Sequence, residues 1–328
     1  MDQPRSIRKL RRRVFLAMVG LAVAMLPVLA PGVDAAPNRC WAKNLTQGTP
    51  PRSHLQGVID TARAGDRIKV KQVCVGHFRI GKQLALIGEG TPRVPVPVLR
   101  TNGAGRVLLV KARVTLTNLK ITGGSVERGG GIWNASGTLI LNRSTVRGNQ
   151  AAIFGGGIVN DRGTLVLNGS SSVTGNETDG FGGGIVNDRG TVVLNGSSTI
   201  RLNSATDYGG GIFNFGGSVV LHGSSSGGQN ASDLGGGIFN DDGGAITMNG
   251  SAAIRGNTAG EGGGIYNDDA IVRLKNDSSV TGNTATTGGG IRFGGVRACD
   301  GSSADEWTGA ISPNDPDDPP TVSPIACT

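Results

Sequence analysis

Residues 182–214 read GGGIVNDRGTVVLNGSSTIRLNSATDYGGGIFN, and this stretch decides the fold. It opens on three glycines and Ile185 and closes on the next three glycines and Ile212, 27 residues later. The same Gly-Gly-Gly-Ile unit starts at Gly129, Gly155, Gly182, Gly209, Gly235, Gly262 and Gly288, at spacings of 26, 27, 27, 26, 27 and 26. A period in this range marks a solenoid, in which each unit buries its apolar face only against its neighbours. Propeller blades need longer units.

Within each period the residues fall into columns. Ile132, Ile158, Ile185, Ile212, Ile238, Ile265 and Ile291 form one without a break. A second segment alternates with period two. Leu139, Leu165, Val192, Val219, Ile246 and Val272 lie in one column, and Leu141, Leu167, Leu194, Leu221, Met248 and Leu274 in another. A third segment aligns Val146, Val173, Ile200, Ile254 and Val280, with Gly227 breaking the column. Alternation at period two belongs to strands, with uniform columns inward and mixed columns outward. The pattern therefore predicts an all-β parallel β-helix of stacked coils, with three short strands per coil of about 26–27 residues. Asparagines repeat at the corners, at Asn134, Asn160, Asn187, Asn214, Asn240 and Asn267 in the first column, and are expected to form stacked amide ladders.

The rest of the chain is read around these coils. Of 328 residues 57 are glycine, aromatics make up 4% and charged residues 17%. Poor helix formers in that proportion exclude a coiled coil or helical bundle, and clustered glycines exclude collagen. Residues 1–35 have a basic start, an apolar run and Val33-Asp34-Ala35 at the end, which predicts a signal peptide. Arg12-Arg13-Val14-Phe15-Leu16 also resembles a twin-arginine export motif. The expectation is a secreted or cell-surface protein with no membrane-spanning segment after signal removal. Residues 36–128 are expected to form an N-terminal cap and irregular first coils, 129–295 the regular coils, and 296–328 a C-terminal cap or tail. Leu55, Val58, Ile59 and Ala62 have helical spacing and predict a short capping helix. The four cysteines fall as an early and a late pair, and in an exported chain predict the disulfides Cys40–Cys74 and Cys299–Cys327.

The formal charge of +8 is unevenly spread: residues 36–128 carry 16 basic and 4 acidic side chains, residues 129–328 carry 10 and 18. The basic third suits an anionic surface or polymer, but no nucleic-acid recognition motif accompanies it, so nucleic acid is not expected as a partner.

The segment HLQGVIDTARAGDRIKVKQVCVGHFRIGKQLALIGEG, residues 54–90, resembles the opening of secreted bacterial right-handed parallel β-helix proteins of the pectin-lyase-like superfamily. The GGGI-x-N repeats resemble those of polymorphic outer-membrane and surface proteins. The resemblance implies fold more than activity, because these proteins include lyases, hydrolases and adhesins. Superfamily lyases use calcium-bound acidic side chains and a basic residue that abstracts a proton. That points to Asp161 and Asp188, at equivalent corners of adjacent coils, with Arg162 and Arg189 behind them. Asp241, Asp242, Asp268 and Asp269 form a second acidic cluster, with Asp241 and Asp268 the candidates for calcium. A repeated Asn-Asp-x-Gly turn selects the same residues without any chemistry. A column of Trp133, Val159, Val186, Phe213, Phe239 and Tyr266 follows the inward isoleucines and is expected outward, as a stripe for sugar rings or a protein partner. Trp133, Phe213, Phe239 and Tyr266 are its candidate binding residues. The favoured reading is a non-enzymatic, adhesin-like binder of polysaccharide or cell-envelope components, needing no cofactor. The alternative is a polysaccharide lyase or glycoside hydrolase on the same scaffold, with calcium as its metal.

Overall fold

A computed structural model describes residues 39–294 and the backbone of Ala310–Ile311. Residues 1–35, expected to be a signal peptide, most of the expected C-terminal cap, and the expected pair Cys299 and Cys327 lie outside the described residues. The chain forms a parallel β-solenoid. Starting from the glycine triplet, each regular coil contributes a strand to sheet 1 (such as Ile185–Asp188), sheet 2 (Thr191–Leu194), sheet 3 (Thr199–Arg201) and sheet 4 (Ser204–Ala205). Among the described residues the sheets contain nine, ten, ten and seven strands. Four strands per coil, not three, is a correction to the sequence reading. The additional ones are short and built from small or polar residues, as in Glu177–Thr178 and Ala231–Leu234. They therefore lack the apolar alternation that marks a strand.

Successive coils pair in register, with one shift in sheet 4 between Val126 and Arg128. Ile158 pairs with Ile185, and Ile185 with Ile212. Val173 pairs with Ile200. The uniform columns point inward as expected: Ile132, Leu139, Leu141, Val146 and their equivalents form one continuous buried core. Inward side chains of sheet 4 are small, with Ala151, Thr178 and Ala205 buried.

The glycine triplet turns the chain from sheet 4 into sheet 1, and its members are required for different reasons. The first has φ near +65°, as at Gly182 (+66°), where only glycine rests without strain. The second and third lie against neighbouring backbone. A Cβ on Gly183 would sit 2.3 Å from the Ser204 carbonyl oxygen, and one on Gly184 2.5 Å from that of Gly211.

Two asparagine columns run through the interior as amide ladders. At the corner from sheet 1 to sheet 2, Asn160 Nδ2 donates to Asn187 Oδ1 at 2.7 Å and to its own Gly163 carbonyl at 2.9 Å. The same pair of bonds recurs at Asn134, Asn187, Asn214 and Asn240. At the corner from sheet 3 to sheet 4, Asn203 Oδ1 accepts from both the Nδ2 and the backbone N–H of Asn176, each at 3.0 Å. Both ladders are buried. A third, through Asn142, Asn168 and Asn195, is half-buried.

The first coil is closed by the expected helix, α1 (Leu55–Thr61), which buries Leu55, Val58 and Ile59. It packs against Trp41–Asn44, Arg67–Lys71 and Phe78–Ile80. Trp41–Asn44 runs antiparallel to Arg67–Lys71 and covers the open edge of sheet 2. Cys40 and Cys74 form a disulfide that ties this cap to sheet 3. Asp66 accepts from Asn44 Nδ2 at 2.7 Å and the Arg63 N–H at 2.8 Å. Those bonds hold its carboxyl below the usual carboxylate range.

Two predictions follow from the interior. A Cβ on Gly227 would meet nothing closer than 3.9 Å, so the gap in the sheet 3 column accepts a side chain. Gly227→Val, matching Val146 and Val173, is expected to raise unfolding stability in urea by about 1–2 kcal/mol through strand preference and added apolar burial. Asn187→Ala leaves two buried amide groups unmatched and is expected to cost about 3 kcal/mol, against less than about 1 kcal/mol for Asn195→Ala in the half-buried ladder. Equal losses from the two alanine variants in urea melts would refute this role of the buried ladder.

Candidate functional site

The carboxylates singled out in the sequence lie at one corner, between sheets 1 and 2. Asp161 and Asp188 end adjacent strands of sheet 1 and pair in register. Phe215 follows in the next coil and Asp241 in the one after. The residue after each aspartate makes the turn: Arg162, Arg189 and Asp242 have φ of 51°, 49° and 55°. The intervening coil supplies a glycine at this left-handed position, Gly216, with φ of 58°.

Each arginine lies against its own aspartate. Arg162 Nε is 2.9 Å from Asp161 Oδ1, and Arg189 Nη1 is 3.2 Å from Asp188 Oδ1. Arg189 also reaches Asp242 at 3.5 Å, across Gly216, and lies over the Phe215 ring at 4.9 Å. The two arginine side chains are 69% and 51% exposed, so these pairs add little to stability. Burial raises the Asp188 carboxyl, although Arg189 opposes it.

The neighbouring acidic turn is more perturbed. Asp241-Asp242-Gly243-Gly244 is one residue longer than Asp188-Arg189-Gly190, and the Asn240 amide reaches Gly244 rather than a residue three positions on. Asp268 is buried, and Asp242 and Asp269 are exposed. Burial, and then the charges of Asp268, Asp242 and Asp269, raise the Asp241 carboxyl to about 6, against the pull of the Asp242 N–H at 2.6 Å. Calcium requires several converging oxygens. No group of three His, Cys, Asp or Glu side chains among the described residues converges closely enough to hold a metal ion.

The aromatic column is placed differently from the expectation. Phe213 and Phe239 are 4% and 0% exposed, and only Trp133 and Tyr266 at the ends are half-buried. The open stripe is thus corrected to a second, outer apolar spine. Glycines leave space above the triplet corner, and the residue before each triplet folds across it. Phe154, Phe181, Tyr208 and Leu234 bridge one another in order there. Phe181 packs on Phe213 with centroids 5.3 Å apart, and Tyr208 on Phe239 at 4.8 Å. Phe239 stacks on Tyr266 at 5.1 Å, and the Arg106 guanidinium lies 4.6 Å from the centre of the Trp133 ring. These contacts make the rings packing elements along most of their length.

Two repeated features were missed in the sequence. Ser144, Ser171, Ser198, Ser225 and Ser278 form a buried column at the corner from sheet 2 to sheet 3. Ser171 Oγ, for example, donates to the Leu141 and Asn168 carbonyls. On the outside of sheet 3, Arg147, Arg201 and Arg255 occupy one column with a different residue between each pair. Their 54-residue spacing was the available signal, but it is twice the period used to align the repeats.

Comparison of the chain with family models, characterised proteins and solved structures gives no match. No helix of the described residues is long and apolar enough to cross a membrane.

The raised Asp241 carboxyl has a signed consequence. An unfolded aspartate releases its proton near 3.9. The folded chain holds this one to about 6, so its contribution to stability falls as pH rises from about 4 to 6 and then stays constant. Asp241→Asn is expected to stabilise the protein by about 2 kcal/mol at pH 7.5 and by almost nothing at pH 3.5. Urea melts of both proteins at the two pH values check the difference, and an equal effect at both would refute it.

Proposed function

We propose that the protein is a secreted or cell-surface binding protein, without catalytic activity, whose ligand is a polysaccharide or another extended component of a cell envelope. The observation that carries this reading is the repetition of the exterior. Sheets 2 and 3 present the same outward positions coil after coil, in register, on a rigid scaffold. A surface that repeats along one axis matches a ligand that repeats along one axis. Export is supported by the basic and apolar N-terminal sequence and by the Cys40–Cys74 disulfide, a bond favoured outside the reducing cytosol. The resemblance of residues 54–90 to pectin-lyase-like β-helix proteins agrees with a carbohydrate ligand.

A second reading, a polysaccharide lyase or glycoside hydrolase, is favoured by one observation. Asp241 has a carboxyl raised to about 6, as an acid catalyst requires, and Asp188 is shifted in the same direction. These aspartates all stand at one repeated corner, where a turn selects such residues without any chemistry.

The test is to incubate the protein with pectate, alginate, glycosaminoglycans and bacterial cell-wall glycans, with and without calcium. Retention on each immobilised polymer is measured beside unsaturated-sugar absorbance and new reducing ends. Retention on at least one polymer without turnover is the expected result. Turnover abolished by Asp188→Asn or Asp241→Asn would replace the binding reading with the enzymatic one.

A further inference from the structure

The exterior of sheet 3 carries a regular row of cations. Arg100 pairs with Thr122, and the next strand pairs Thr145 with Lys120 and Val146 with Ile121, which sets Arg147 one position further along, beside Thr122. Arg147 then pairs with Thr174, Thr174 with Arg201, Arg201 with Gly228, and Gly228 with Arg255. An arginine therefore stands on every second coil, with threonine or glycine between. Strands are about 4.8 Å apart, so neighbouring arginines are about 9.6 Å apart along the axis. Arg147, Arg201 and Arg255 are exposed and make no ion pair among the described residues. Lys120, paired with Thr145, and Arg143, four residues before Arg147, add positive charge to these coils, while Glu177 follows Thr174 by three residues and Asp277 precedes Thr281 by four. A parallel outward column consists of hydroxyls, Thr145, Ser172, Thr199 and Ser226.

We infer that this face binds an extended acidic polysaccharide bearing one carboxylate or sulfate per disaccharide, each second coil placing a guanidinium against one anionic group. The inference rests on the binding reading above and gives it a site and a ligand class. Charge complementarity supplies the first argument: a guanidinium fork matches a carboxylate or sulfate with two parallel hydrogen bonds. Spacing supplies the second, since two sugar rings of an extended chain cover about the length of two coils. Hydroxyl side chains beside the row match the hydroxyls of the intervening sugars. Nucleic acid fits less well. Its charges come about every 3.4 Å along a helical strand, and single strands require aromatic platforms, whereas no outward position of sheet 3 is aromatic.

The full chain is titrated with hyaluronan oligosaccharides, which have one carboxylate per disaccharide, and separately with dextran and oligo-dT. The variant R147T/R201T/R255T substitutes the residue found in the intervening coils. A charge-matched control, R52T/R63T/R292T, removes three exposed arginines from outside sheets 2 and 3. Circular dichroism and melting verify that both fold. If the triple variant does not fold, the single variants R147T, R201T and R255T are used, each expected to weaken binding several-fold. The proposal expects salt-sensitive hyaluronan binding, weakened at least tenfold in the row variant and less than threefold in the control, with no binding of dextran. It is overturned if the row variant binds as well as the unchanged protein, if oligo-dT binds more tightly than hyaluronan, or if hyaluronan does not bind. Retained binding in the row variant leaves the binding function standing with its site elsewhere. Failure of hyaluronan together with every polymer in the glycan panel removes the binding function as well.

Discussion

At the glycine triplets the backbone of one coil lies directly against that of the next, and the other columns depend on this approach. Gly183 has no space for a side chain because the Ser204 carbonyl lies against it, and Gly184 is similarly closed off by Gly211. When one coil rests on the next this tightly, neighbouring coils must have nearly the same length and path. That condition brings Ile185 over Ile158 and lets each asparagine amide reach the next at 2.7–3.0 Å. The ladders in turn supply partners for polar groups that have no access to water.

The interior is largely apolar all round the coil, whereas the exterior differs from one side of the coil to the next. The corner between sheets 1 and 2 is acidic. The corner before sheet 1 is covered by interlocked aromatic rings. Sheet 3 is basic and rich in hydroxyls. Because one scaffold repeats these features along one axis, each becomes a stripe rather than a pocket. A solenoid can accordingly change one stripe by substitution at one position per coil without altering the core.

The period, the inward columns, the capping helix and the Cys40–Cys74 bond were legible in the sequence because each depends on local pattern or on residue chemistry. The fourth strand was not, since Glu177–Thr178 and Ser204–Ala205 are held by register with neighbouring coils and not by apolar alternation. The facing of Phe213 and Phe239 was misread for a related reason. Alternation correctly places them outside the inner core, but it cannot reveal that Phe181 and Tyr208 fold over them from the preceding turn. At the acidic corner, the residue types and their adjacency were readable. The extra residue that accompanies the shift of Asp241 has meaning only in the folded turn, where Asn240 spans to Gly244. The arginine row was hidden by alignment at one coil, which scatters a two-coil feature into alternating rows.

The alternation of arginine and threonine on sheet 3 gives the surface a unit of two coils, while the interior has a unit of one. Loss or duplication of a single coil would leave the apolar columns and the amide ladders continuous, yet would put the arginines on either side of the junction out of phase. Loss or duplication of a pair would preserve both. If the chain has lengthened by internal duplication, the core tolerates steps of about 27 residues, whereas the charged face preserves its phase only over steps of 54. The outer surface thus imposes a parity on the number of coils that the fold itself does not require.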